Sequence, residues 1–108
     1  MVNEVVLIGR LGRDPEIKRT QAGKQFCTFS LATTFGRGDK ERTEWHRIEV
    51  WTSAAEACER YLRRGSKVYV KGQLKSNEWE RDGQTRKDWS IVAYQVLFLD
   101  SKESSHGR

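Results

Sequence analysis

Alternating apolar and polar side chains predict β-strands in five segments of the chain. Successive side chains of a strand point to opposite faces, so a period of two residues is the expected pattern. The segments are residues 3–11, 25–34, 43–51, 66–79 and 86–99. Asp82 and Gly83 form a strong turn signal between the last two, which predicts a hairpin. The first and last segments are apolar on both faces, which indicates strands covered on both sides.

Residues 53–65, SAAEACERYLRRG, instead repeat apolar positions every three or four residues, as one face of a helix does. Ser53 and Glu56 have the spacing of a capping box, in which two side chains satisfy free N–H groups of the first turn. Gly65 suits the left-handed residue that ends many helices. One short amphipathic helix is therefore predicted here.

The resulting order is three strands, one helix and two strands, with residues 13–24 as a connection in which Pro15 breaks the ladder. An all-β, five-stranded barrel with one short helix between strands 3 and 4 is the oligonucleotide/oligosaccharide-binding (OB) fold. The 108 residues suffice for one such domain, which we place at residues 1–100. Residues 101–108, SKESSHGR, are predicted to be a short, polar, disordered tail.

Aromatic and basic side chains share one face in two of the predicted strands. The two sets are Trp45, Arg47 and Trp51 in residues 43–51, and Lys71, Lys75 and Trp79 in residues 66–79. A two-residue turn would also pair Trp79 with Arg86, a geometry that suits cation–π contact. Unpaired bases stack on aromatic rings at about 1–3 kcal/mol per base, and their phosphates attract cations. The pattern therefore predicts sequence-tolerant binding of single-stranded nucleic acid.

The net charge of the chain and the other possible placements of its tryptophans both affect the prediction of nucleic-acid binding. The formal net charge of +5 favours a polyanionic partner, but many basic proteins have none. A tryptophan on a polar face can also be buried by a register shift, or line a subunit interface. Three tryptophans with basic neighbours favour binding over these alternatives. Trp89, between Asp88 and Ser90, is instead predicted to pack at the base of the hairpin, and His46 to be a core or interface histidine.

Few residues suggest catalysis, a metal or a cofactor, and we expect none of the three. Cys27 and Cys58 lack metal-ligand spacing with the histidines and are predicted to be buried thiols in a reducing compartment. The segment 16–18, Glu-Ile-Lys, has the form of a triplet used by some metal-dependent nucleases, but it lies in a predicted loop, so a nuclease is a minor alternative. No apolar run could span a membrane and no secretory signal is recognisable, which favours the cytoplasm and no membrane partner.

Segments between Asn3 and Leu99 resemble the bacterial single-stranded DNA-binding protein family. They are VLIGRLGRDPE, FSLATT, TEWHRIEVW, CERYLRRGSKVYVKGQL and a later W-x-x-x-G-Q. The resemblance implies an OB-fold homo-oligomer, usually a tetramer, that needs no cofactor. It implies binding and protection of single-stranded DNA in replication, recombination and repair, in the bacterial cytoplasm at the nucleoid.

The resemblance also implies roles for individual positions. Many members carry a further stacking tryptophan in the loop after strand 2, where this chain has Arg37, with Phe35 as a substitute two residues earlier. The first strand and His46 correspond to subunit contacts. The full set of candidate DNA-binding residues is Trp45, Trp51, Trp79, Arg47, Lys75, Arg64, Lys71, Phe35, Arg37 and Arg86. The candidate oligomer-interface residues are Val6, Ile8 and His46.

Two questions stay open from the sequence. Members of the family generally end in a flexible linker and an acidic tip that recruits repair proteins, whereas this chain ends at SKESSHGR, so such recruitment is not expected of it. It is either a tail-less member or a truncated core. The alternative function is a replication-accessory OB module of the primosomal type, which mainly docks protein partners. RNA in place of DNA is a further alternative, because stacking tolerates both sugars.

Overall fold

Six strands and one α-helix make up the part of the chain that the computed structural model describes, residues 1–100. The strands are β1 (Val5–Leu11), β2 (Glu16–Arg19), β3 (Gln25–Phe35), β4 (Arg42–Val50), β5 (Lys67–Arg81) and β6 (Gln84–Phe98). Helix α1 (Ala54–Tyr61) lies between β4 and β5, and a short 3₁₀ turn covers Gly38–Lys40. The predicted tail at residues 101–108 lies outside the described residues.

The sheet closes into a barrel because β1 pairs with two strands. Its order is β1-β5-β6-β4-β3-β2, and β1 also pairs with β3 at Arg10 and Leu11. All pairs are antiparallel except β4 with β6. A Cβ atom on Gly9 would collide with the carbonyl of Ala32, so the absence of a side chain lets β1 cross onto β3. The barrel of β1 and β3–β6, with its single short helix, confirms the predicted OB fold.

The connection predicted at residues 13–24 contains a strand that the pattern did not reveal. Residues Glu16–Arg19 form β2, which pairs with residues 25–28 of β3. All four side chains of β2 are exposed, so no apolar alternation marks it. The prediction of an unstructured connection was wrong at these residues, because the free edge of β3 supplies the hydrogen bonds that hold β2.

A β-bulge in β6 changes which of its side chains reach the core. Lys71 pairs with Gln95, whereas the next residue, Gly72, pairs with Ala93, so Tyr94 is an extra residue on β6. Val96 consequently packs against the core on the same side as Ala93. Leu97 points outward and is 46% exposed.

Helix α1 covers one end of the barrel with two buried residues, Ala55 and Cys58, and Leu62 directly after the helix is buried as well. The predicted capping box between Ser53 and Glu56 does not form. Ser53 already has helical dihedral angles (φ −58°, ψ −17°) and its side chain makes no capping hydrogen bond. The hydroxyl of Thr52 accepts the N–H of Ala54 instead, at 3.2 Å. The cap therefore lies one residue earlier than the spacing predicted.

Both thiols lie in the barrel core, which confirms the prediction that they are buried. Burial raises the pKa of Cys27 to about 12 and that of Cys58 to about 11. The thiolate is the reactive form, so both groups stay protonated and unreactive near neutral pH. We expect no reaction of the native protein with dithionitrobenzoate at about pH 8, and reaction of both thiols after unfolding in guanidinium. Prompt labelling of the native protein would contradict this.

Candidate nucleic-acid interface

The outer surface of β2, β3 and β4 arranges side chains in rows across the strands. Lys18 lies opposite Phe26, and the rings of Phe26 and Trp51 stack with centroids 3.9 Å apart. The following rows are Thr28 with Glu49, Ser30 with Arg47, and Ala32 with Trp45. We call this surface, together with Lys75, Asn77 and Trp79 of β5, the aromatic face. It brings the three tryptophans of the predicted site onto one side of the barrel.

Trp51 is the most constrained of these three tryptophans and is partly buried. Phe26 stacks on its ring at an interplanar angle of 10°. The ammonium groups of Lys24 and Lys75 lie 5.8 and 6.0 Å from the ring centroid, within cation–π range. The indole N–H donates to the Glu49 carboxylate at 2.9 Å. The ring is therefore held in one orientation before any ligand arrives.

Trp45 and Trp79 are more exposed, at 60% and 44%. Trp45 rests against Gly12, where a Cβ atom would displace the indole ring from its present position. Trp79 lies near the end of the β5–β6 hairpin, opposite Arg86, which confirms the predicted pairing. The hairpin turns at Asp82 and Gly83, both with positive φ (54° and 74°), as a two-residue type I′ turn requires. Both rings are accessible for stacking.

Three of the predicted basic residues are paired with carboxylates. Arg47 pairs with Asp88 at 3.4 Å and Lys75 with Glu49 at 3.4 Å. Lys71 pairs with Glu4 of the chain's start at 3.2 Å, and this hydrogen bond raises the pKa of Lys71. These charges are therefore partly neutralised within the protein.

Two exposed basic residues that the sequence interpretation missed lie beside Arg47. Arg13 and Lys18 line a cleft of about 130 Å³ together with Arg47 and two carboxylates, those of Asp14 and Glu16. Within residues 1–100 neither Arg13 nor Lys18 forms an ion pair. No signal in the sequence pointed to them, because residues 13–24 were predicted to be a connection, in which the side chains could not be assigned to a face.

Phe26 and Lys24, which surround Trp51, were also missed. Phe26 could have been found, because it shares the polar parity of Thr28 and Ser30 on its strand, the same signal that singled out Trp45. Lys24 precedes β3 and carries no such signal. Together with Trp51 and Lys75 these residues form a compact aromatic and cationic cluster.

Phe35, Arg37 and Arg64, also predicted to bind DNA, lie outside the rows of the aromatic face. Phe35 ends β3 and is 79% exposed, and Arg37 is exposed in the following turn. The backbone N–H of Arg64, just after α1, donates to the Asp14 carboxylate at 2.8 Å. This bond ties the end of the helix to the turn that carries Arg13.

Trp89 does not pack as predicted, because it is 52% exposed. The ammonium group of Lys87 lies 4.9 Å from its ring centroid, so Trp89 does have a basic neighbour, two residues away. Trp89 lies on the opposite face of β6 from Asp88 and Ser90, and lines a cleft of about 120 Å³ with Leu74 and His46. The prediction failed because it considered only the immediate sequence neighbours.

The predicted interface residues lie around β1 and β4. Val6 and Ile8 point outward from β1 and are 52% and 53% exposed. His46 is half-buried, and its Nε2 is 2.9 Å from the Thr33 hydroxyl. Within residues 1–100, residues 5–9 of β1 pair on one side only, with β5. That stretch of β1 has a free hydrogen-bonding edge.

The triplet of the nuclease alternative lies on β2 and not in a loop. Glu16 and Lys18 do line the same cleft as Asp14. The described part of the chain contains no group of three or more His, Cys, Asp or Glu residues that could hold a metal ion. It also contains no helix with the length and hydropathy needed to cross a bilayer.

Comparison with known proteins agrees with this geometry. Residues 2–99 match the model of the single-strand binding protein family. Single-stranded DNA-binding protein 1 of Chlorobaculum tepidum is 39% identical over 113 residues, covering 98% of this chain and 70% of that protein. The single-stranded DNA-binding protein of Xylella fastidiosa is 41% identical over 112 residues, covering 98% and 68%. The solved structure of the Plasmodium falciparum SSB complex with ssDNA superposes with a TM-score of 0.84 and 35% identity, covering 93% of this chain and 96% of that one. The chain belongs to the single-strand binding protein family.

Proposed function

We propose that this protein binds single-stranded DNA without base specificity and protects it during replication, recombination and repair. The observation that carries the proposal is the aromatic face, where Trp45, Trp51 and Trp79 lie on one surface with basic residues between them. A member of the same family with a TM-score of 0.84 was solved as a complex with ssDNA. The protein acts by binding and not by catalysis, as its family does.

In the proposed mechanism, aromatic rings bind the bases and basic side chains bind the phosphates. Bases stack on Trp45, Trp51 and Trp79, because every base has a π-face. Phosphates between them contact Arg13, Lys18 and other exposed cations, with release of counterions. Trp45 and Trp51 are six residues apart on one side of β4, roughly 20 Å at about 3.3 Å per residue, so one strand of several nucleotides spans both.

Titration of intrinsic tryptophan fluorescence with oligo-dT, oligo-dA and oligo-rU tests this function. We expect strong quenching that saturates at a fixed ratio of nucleotides to subunits, with affinities for the two DNAs within about tenfold of each other. Absence of quenching and of binding would overturn the proposal and favour the primosomal-type module that docks proteins. Much tighter binding of oligo-rU would instead identify RNA as the ligand.

We further propose that the protein is a homo-oligomer, most simply a tetramer, in the bacterial cytoplasm at the nucleoid. The support lies on β1, where exposed Val6 and Ile8 adjoin exposed Leu97 of β6 across β5. Residues 5–9 of β1 also carry a free strand edge, so two copies could pair their β1 strands in antiparallel fashion. Apolar side chains and unpaired backbone groups would be buried together in such a contact.

Changing Ile8→Asp is expected to dissociate this oligomer, because it would bury an unpaired carboxylate in the contact. Sedimentation velocity should show a smaller species than the wild-type protein at the same concentration. Ile17→Asp is the matched control, since Ile17 is an exposed isoleucine on β2, away from β1. Equal sedimentation of the wild-type and Ile8→Asp proteins would contradict the proposed interface.

A further inference from the structure

A buried carboxylate lies at the centre of the aromatic face. Glu49 is only 8% exposed, although it points to the outer side of β4. Its Oε1 accepts the indole N–H of Trp51 at 2.9 Å and lies 3.4 Å from the ammonium group of Lys75. Its Oε2 accepts the hydroxyl of Ser90 at 3.2 Å. Both oxygens are therefore hydrogen-bonded.

A negative charge is unexpected on a surface that faces phosphates, since it repels them. Burial of a carboxylate is also costly unless the charge is paired and hydrogen-bonded. Glu49 meets that condition through Trp51, Ser90 and Lys75, which come from three different strands or strand ends. A buried carboxylate with three such partners can hold the groups around it in place.

The hydrogen bonds continue beyond Glu49 across the base of the hairpin. Asn77 donates to the Ser90 hydroxyl and to the Asp88 carboxylate, both at 3.1 Å. Asp88 in turn accepts from Arg47 at 3.4 Å. The network joins β4, β5 and β6, so the position of Trp51 is coupled to that of the hairpin carrying Trp79.

We propose that Glu49 is a positioning residue of the aromatic face, which fixes the Trp51 ring and uses Lys75 as its internal counter-ion. Lys75 then neutralises Glu49 and does not contact a phosphate of the bound strand. This inference rests on the proposed binding of single-stranded DNA. It assigns the salt-dependent phosphate contacts to cations other than Lys75.

Lys75 stays with Glu49 because the Glu49 carboxylate is buried, whereas a phosphate of bound DNA would be exposed to solvent. Moving the ammonium group to a phosphate would leave the nine-tenths buried Glu49 carboxylate without a counter-charge, which is strongly unfavourable. The phosphate contact that Lys75 would gain lies in solvent, where salt screens it. The internal pair is therefore retained when DNA binds.

The test is the slope of log affinity against log salt concentration. Each phosphate contact on a single strand contributes about 0.7 to the magnitude of this slope. Lys75→Met keeps the apolar stem beside Trp51 and removes the charge, and we expect the slope to stay that of the wild-type protein. Glu49→Gln releases Lys75, and we expect a slope steeper by about 0.7. The double variant should return to the wild-type slope. Glu56→Gln, on the exposed side of α1, removes the same charge elsewhere and should leave the slope unchanged.

A second measurement concerns the Trp51 indole. In Glu49→Gln an amide oxygen can still accept the indole N–H, whereas Glu49→Val leaves no acceptor. We expect hydrogen exchange of the Trp51 indole N–H, followed by NMR, to be more than tenfold faster in Glu49→Val than in Glu49→Gln. Equal exchange rates in the two variants would contradict the positioning of the ring.

The outcomes separate this inference from the proposed function. A wild-type protein that does not bind oligo-dT would overturn the function itself. Normal binding with a slope lowered by about 0.7 in Lys75→Met would overturn only the inference, because Lys75 would then contact a phosphate. The double variant decides the same point without leaving an unpaired Glu49 carboxylate, because its slope would also be lower by about 0.7 than that of the wild-type protein if Lys75 contacted a phosphate.

Discussion

Replacing both Trp45 and Trp79 with alanine is expected to weaken binding of oligo-dT by about 30-fold to more than 10⁴-fold. Each stacked base contributes about 1–3 kcal/mol, so the loss of two stacking rings removes about 2–6 kcal/mol of binding free energy. Both rings are accessible, 60% and 44% exposed, so the barrel core keeps its packing. Fluorescence anisotropy of end-labelled oligo-dT measures the affinity without depending on the removed tryptophans.

The matched control for this variant is Tyr61→Ala, which removes an exposed ring from α1. Tyr61 is 64% exposed and lies outside the aromatic face. We expect its removal to leave the affinity within about twofold of the wild-type value. A double tryptophan variant that binds as tightly as this control would show that the DNA does not stack on Trp45 and Trp79.

Most of the barrel could be predicted because its strands bury one or both faces. Alternating apolar residues located five strands, and the i, i+3, i+4 pattern located α1. β2 could not be predicted in this way, since its four residues are all exposed and, within residues 1–100, it pairs with no strand except β3. The bulge at Tyr94 was equally hidden, because it is defined by the pairing of β6 with β5 and not by either strand alone.

The candidate site was predictable within a strand but not between strands. Parity along β4 is enough to place Trp45 and Trp51 on one face. The stacking of Phe26 on Trp51 and the pairing of Glu49 with Lys75 depend on registers between segments about 25 residues apart. The sequence therefore identified some basic residues of the surface, such as Arg47 and Lys75, but could not tell which of them are paired inside the protein.

The second large effect is expected from Arg13 and Lys18, two cations that form no ion pair within residues 1–100. Changing Arg13→Ala and Lys18→Ala together is expected to lower the salt slope by about 1.4, since each free cation contributes about 0.7 through one phosphate contact. Affinity for oligo-dT should then fall by about 60-fold at 0.05 M salt and approach the wild-type value near 1 M. Titrations over this range of salt, with anisotropy as the readout, measure both quantities.

A control variant with the same loss of charge tests whether the position of the removed charges determines the salt slope. Arg19→Ala with Arg60→Ala removes two exposed charges, from the other side of β2 and from α1. If the cleft beside Arg47 holds phosphates, this control keeps the wild-type slope while the Arg13 and Lys18 variant loses about 1.4. Equal slopes in the two double variants would mean that the DNA responds to the net charge of +5 and not to a defined path across the aromatic face.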